Sequence, residues 1–191
     1  MTSEKLSYEW LDREFKKSLF IPLSDPNRDF KIMRTASNRA TFLYNLKSKT
    51  EECKKVIKCL KGKTLVFGKS NKELLDICST AIVQDNPNII KDLQDFKEGK
   101  TMLSCSNNIL KQGENIPQLS NILLHSYYSQ WPAMTQMIGR LRASSDLGYV
   151  IMMVTQNTQE QKWFELATEN LKSNWIYCKN VSDFCSKIER E

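Results

Sequence analysis

The residues whose types and spacing could do chemistry fall in a few short stretches. The first is "KGKTLVFGKS" at 61–70, with two glycine-lysine-hydroxyl triplets, Gly62-Lys63-Thr64 and Gly68-Lys69-Ser70. A phosphate-cradling loop needs Gly, four residues, then Gly-Lys-Ser/Thr, so that successive backbone N–H groups wrap a phosphate before a helix starts. Here five residues part the two glycines, and the apolar run "TLVF" lies inside the would-be loop. The spacing instead predicts a helix stopped at Gly62, a buried strand over 63–68, and a loop at Lys69-Ser70-Asn71 that caps the next helix.

The second stretch is "QMIGRLR" at 136–142, in or at the end of a helix that begins after Trp131-Pro132. A glycine inside a helix costs about 1 kcal/mol against alanine, so Gly139 points to close packing or close approach of a ligand. Arg140 and Arg142 are two apart and diverge on a regular helix, so they serve different partners or the helix ends between them. The one histidine, His125, ends the apolar run "NILLH" and reads as a satisfied strand-end residue, not a metal ligand or base. No metal site is expected.

Six cysteines, at 53, 59, 78, 105, 178 and 185, form no C-x-x-C and fall mostly at apolar periodic positions. They are expected to be reduced core thiols in a cytoplasmic protein. There is no signal peptide and no run of about 20 apolar residues, so neither secretion nor a membrane span is expected. The chain has 191 residues, 40% hydrophobic and 26% charged, which is enough to bury a core of its own. Its 28 basic against 22 acidic residues suit a polyanionic partner without proving one. Nine lysines crowd residues 47–72 against Glu51 and Glu52. They form either a surface for nucleic acid or a solvated helix face.

The elements that must position these groups alternate in type. Residues 3–20 carry Tyr8, Leu11, Phe15 and Leu19 on one stripe and predict an N-terminal helix; the prolines in 21–29 predict a linker. An extended stretch at 30–34 and a lysine-rich helix over 39–61 follow, the latter with Cys53, Val56, Ile57 and Leu60 at helical spacing. Strands are expected at 63–68, 101–106, 121–126, 149–154 and 175–178, and helices at 71–80, 88–97, 132–141, 158–171 and 181–190. Short, near-continuous apolar strands alternating with helices imply an α/β fold, a parallel sheet covered by helices on both faces. Residues 1–38 are read as a helical extension and 39–191 as the α/β domain. Ligands of such sheets bind at the carboxyl ends of the strands.

In order and spacing, "LVFGKS", "FKEGKTMLSCSNNILKQGENIP" and "QMIGRLR" resemble motifs IV, V and VI of the second RecA-like domain of superfamily 2 helicases and translocases, phage-type DNA helicases most of all. The resemblance covers residues 49–158. It implies a RecA-like domain whose Arg140 is an arginine finger reaching the γ-phosphate of ATP across an interdomain cleft, with Gln136 and Gly139 in the same motif. The family's second arginine stands one residue later, where this chain has Ala143, so Arg142 either does that work from a shorter helix end or has lost it. By the same resemblance Gly113 and Asn115 serve the nucleotide, and Lys69, Ser70, Ser104, Ser106 and Asn107 contact a nucleic-acid backbone, DNA before RNA.

No G-x-x-x-x-G-K-[ST] and no D-E-x-[DH] occurs in the chain. In the family a first RecA-like domain supplies both, holding ATP and Mg2+, so the chain is expected to need a P-loop partner domain in cis or in trans and to be inactive as an ATPase alone. It reads equally as a separately encoded subunit or an excised domain. The alternative is a stand-alone RecA-like module that binds nucleic acid or protein without any ATPase role.

Overall fold

The structure, a computed structural model, describes residues 2–107, 115–126, 148–169 and 175–189. Helix α1 (Ser3–Ser18) and helix α2 (Arg28–Tyr44) form an antiparallel hairpin. Helix α3 (Lys47–Cys59) leads into strand β1 (Lys63–Phe67), followed by α4 (Asn71–Ile77), α5 (Ile89–Lys97), β2 (Leu103–Ser106), β3 (Leu119–Leu124) and β4 (Tyr149–Met152). Helices α6 (Gln159–Thr168) and α7 (Val181–Ile188) come after β4. Among the described residues no helix is long and apolar enough to cross a membrane.

The four strands pair in parallel in the order β2-β1-β3-β4. Alternation along each strand splits the core in two, because successive side chains point to opposite faces. Leu65, Phe67, Ile122 and Leu124 meet Phe96 of α5 and Trp163, Phe164 and Ala167 of α6. Val66, Cys105 and Leu123 meet Cys53 and Val56 of α3, Leu74 of α4, and Val181 and Phe184 of α7. The expected parallel sheet with helices on both faces is the observed one. Gly62 carries φ +85° between α3 and β1, and a Cβ there would sit 2.6 Å from the Ser120 hydroxyl. Both facts favour glycine at the stop.

The open edge of β2 is covered by residues 80–83. Ile82 N–H donates to Cys105 O at 2.6 Å, Ser104 Oγ donates to Thr80 O at 3.0 Å and Ser106 Oγ to Ile82 O at 3.2 Å. Two strand serines thus fasten the protecting segment that a sheet edge needs.

Three expectations need correction. Residues 30–34 lie inside α2, which also runs through residue 38; no Gly or Pro interrupts 28–45, and Arg39 locks the helix to α1 by an ion pair with Asp12 (2.6 Å) while lying 3.9 Å from the Phe15 ring centre. The helical stretch at 39–61 breaks at Asn45 and Leu46. The run "WIYC" at 175–178 is no strand: Trp175 and Tyr177 pack edge-on to Phe164 at 5.8 and 6.3 Å, so the aromatic rings join α6 rather than β4.

The cysteines are not all reduced. Cys59, the last residue of α3, is bonded to Cys185 of α7, with Cα atoms 5.6 Å apart. Packing of α3 against α7 brings them into the separation a disulfide requires. Cys53 and Cys105 are free and buried in the core.

Candidate functional site

The carboxyl ends of β1 and β2 lie side by side in the sheet, so the loops that leave them meet. Gly68 opens the first loop; a Cβ there would stand 2.9 Å from Leu74 Cδ2, so glycine lets the chain turn tightly over α4. Lys69 follows, half-buried, and desolvation pulls its amine down to about 8. Ser70 caps α4, accepting from Glu73 N–H, and its hydroxyl donates to Asn45 Oδ1 at 2.6 Å. The second loop brings Asn107, whose amide donates to Asn71 Oδ1 at 2.6 Å; the Asn71 amide in turn donates to Asp85 at 3.0 Å.

Lys69, Ser70 and Asn107 are therefore brought to one rim of the sheet. Ser104 and Ser106 are fully buried, with hydroxyls turned to the carbonyls of residues 80 and 82. Asn115 is exposed on the approach to β3. Gly113, Gln136, Gly139, Arg140 and Arg142 lie outside the described residues. The rim offers a hydroxyl and amides, with the solvent-shielded Lys69 amine beneath them, groups that hold phosphate oxygens without reading bases. Ser70 and Asn107 are satisfied locally, so a phosphate would have to exchange with Asn45 and Asn71 for their donors.

Behind the rim lies a buried polar network that the sequence reading missed. Lys49 Nζ pairs with Glu160 Oε1 at 2.5 Å, and Glu160 Oε2 accepts the Thr155 N–H at 3.0 Å, tying the start of α3 to the start of α6. Burial pushes the Lys49 amine down, opposed by the Glu160 charge. Thr50 Oγ1 donates to Glu73 at 2.6 Å and lies 3.4 Å from His125 Nε2; His125 Nδ1 lies 2.9 Å from Ser126 Oγ. Burial, then the Lys49 charge, pushes the imidazole down to about 3, so it stays neutral at physiological pH. His125 is the satisfied strand-end residue expected. The missed signal was periodicity: Lys49 and Thr50 stand four and three residues before Cys53, on the apolar stripe of α3.

The lysine run divides accordingly. Lys49 and Lys63 are buried, Lys63 donating to Pro117 O at 2.8 Å, while Lys54 and Lys55 pair with Glu51, Asp76 and Glu52 at the surface. Much of it is structural or solvated.

Sheet order and two-faced cover make this an α/β fold of the RecA-like kind. Solved structures similar to it are the C-terminal domain of the DEAD-box protein Dbp5 (13% identity, TM-score 0.64, covering 78% of this chain and 93% of that one). Saccharomyces cerevisiae Dbp5 bound to RNA and ADP BeF3 follows (14%, 0.62, 74% and 41%), and the DUF1998 helicase MrfA bound to DNA and AMPPNP (18%, 0.51, 63% and 20%). This chain thus spans about two fifths of that Dbp5 chain. At such identities the likeness concerns the fold alone. No protein-family model and no curated protein sequence matches the chain. The phage-type kinship read from the sequence has no counterpart in these three neighbours.

Proposed function

We propose that this chain is the half of an ATP-dependent nucleic-acid helicase or translocase that carries motifs IV to VI, and that it works with a P-loop RecA-like domain in cis or in trans. The observation that carries the reading is the meeting of Lys69-Ser70 and Asn107 at the carboxyl ends of two adjacent parallel strands. These are the positions that the ordered motifs assign to backbone contact. Dbp5 and MrfA, in the complexes named above, hold RNA or DNA together with a nucleotide, which supports nucleic acid as the partner and gives no ground for DNA over RNA.

In this reading Lys69, Ser70 and Asn107 grip successive phosphates, many weak and sequence-independent contacts being what movement along a strand requires. Ser104 and Ser106 place the second loop by anchoring residues 80–83. Gly113, Asn115 and Gly139 serve the nucleotide, and Gln136 acts with Arg140, the cation that meets the γ-phosphate when the two domains close. Arg142 backs it. The P-loop domain supplies the phosphate cradle and the Mg2+ ligands, which this chain's sequence lacks.

The test is a reconstituted two-domain protein assayed for phosphate release with single-stranded DNA and RNA. Arg140→Ala is expected to lower the stimulated rate by about 10³- to 10⁵-fold, the range for an arginine finger. An unchanged rate, or turnover of about one per second by this chain without a partner, would overturn the proposal.

A further inference from the structure

The helical hairpin turns an unusual surface outward. Trp10 (56% exposed) and Phe30 (63%) stand clear of the core, and a groove of about 280 Å³ between α1 and α2 is lined by Trp10, Glu14, Lys31, Arg34 and Asn38. Glu14 is neutralised by Lys17 at 2.8 Å, and Lys31 is held by Asp25 at 2.8 Å. Among the described residues Arg34 has no carboxylate partner. Phe30 lies one helical turn before Arg34 on α2, so an aromatic face and a guanidinium share one side of the helix.

The groove leads somewhere. Lys31, Arg34, Asn38, Thr41 and Asn45 recur at i, i+3, i+7, i+10 and i+14, one stripe along α2. Asn45 is the residue that accepts the Ser70 hydroxyl at 2.6 Å. From Arg34 to Asn45 the helix rises about 16 Å at 1.5 Å per residue.

We infer that this groove is a second contact for single-stranded nucleic acid, a base stacking on Trp10 with Arg34 on its phosphate, continuous along α2 with the rim at Ser70. The inference rests on the proposed function. An exposed stackable ring beside a guanidinium suits a polyanion with exposed bases, the pairing that single-strand grooves use. Asn38 and Thr41 continue the tract from Arg34 toward Asn45, with Lys31 at its far end.

The experiment is fluorescence anisotropy of labelled oligo(dT) and oligo(U), about six and about twenty nucleotides long, lengths that bracket one binding site and a longer tract. The wild-type chain is expected to bind the long probe more tightly than the short one. Trp10→Ala should remove that gain, weakening the long probe about 5- to 100-fold, and Trp10→Phe should keep most of it. Arg34→Ala should also flatten the salt dependence by about one charge. Equal long-probe binding by wild type, Trp10→Ala and Arg34→Ala overturns the groove alone. Loss of affinity for a P-loop domain with oligonucleotide binding intact makes the groove a protein interface and overturns it too. If the wild-type chain binds neither probe, the proposed function itself fails.

Discussion

The sheet and the N-terminal hairpin are built on opposite principles. The sheet buries two continuous apolar layers, and its strand residues Leu65, Val66, Ile122 and Leu123 are wholly shielded from water. The hairpin gives only Tyr8 and Leu43 to a buried apolar cluster, which Leu46 and Trp163 of α6 complete, and leaves Trp10, Phe20, Leu23, Phe30 and Met33 outside. Polar contacts complete its attachment: Ser48 N–H to Glu4 at 3.3 Å, Gln159 N–H to Tyr8 OH at 2.8 Å, and Ser70 to Asn45. The contrast teaches that the sheet is the frame, whereas the hairpin is an appended element seated near the carboxyl ends of its strands. Polar contacts of this kind contribute only about 1 kcal/mol each, so they hold the hairpin less strongly than close packing holds the sheet.

Breaking the frame should have the largest effect. Glu160→Ala leaves the Lys49 charge buried without its partner and is expected to cost about 3–5 kcal/mol in urea unfolding, and the double replacement Lys49→Met/Glu160→Leu to recover most of it. A cost below about 1 kcal/mol for the single variant would mean that the pair does not clamp α3 to α6. Releasing the hairpin should cost less. Tyr8→Phe removes the acceptor of the Gln159 N–H and should lose about 1 kcal/mol, with amide exchange in α1 and α2 quickening while that of β1 and β3 holds; uniform quickening would erase the distinction between the two regions.

The smallest expected effect separates their binding surfaces. Lys69, its amine desolvated, loses its proton through about 8. Between pH 7 and 9 the short-oligonucleotide affinity should therefore fall a few-fold, and Lys69→Arg should flatten the profile. Stability moves the other way: the unfolded chain holds that lysine proton to higher pH than the folded one, so the Lys69 contribution rises as pH climbs above about 8. A flat binding profile in the wild type would take Lys69 out of the phosphate site.

Local pattern made the sheet readable. "TLVF", "NILLHS" and "YVIMMV" are apolar runs bounded by turn formers, and each became a parallel strand within a few residues of its expected ends. The rim was readable through the order of its motifs, since Lys69, Ser70 and Asn107 follow strand ends. The rest depended on partners distant in sequence. Nothing near Lys49 announces Glu160, 111 residues away, and nothing near Cys59 announces Cys185. Residues 30–34 mislead because "FKIM" is mostly apolar and too short to show a period, and the helix is locked by the contact of Arg39 with Asp12 and Phe15. "WIYC" has strand-forming residue types, but Trp175 and Tyr177 find a better partner in Phe164.

The bond between Cys59 and Cys185 makes the molecule a covalent ring with two tails, and every described strand lies within the ring. A protease that cuts a loop inside it yields two pieces still joined as one species, which separate on a gel only after a thiol reductant is added. A cut outside the ring leaves the hairpin or the last residues with no covalent tie to the rest. Backbone integrity and molecular integrity are thus different properties in this chain, and the redox state of its surroundings decides whether they coincide.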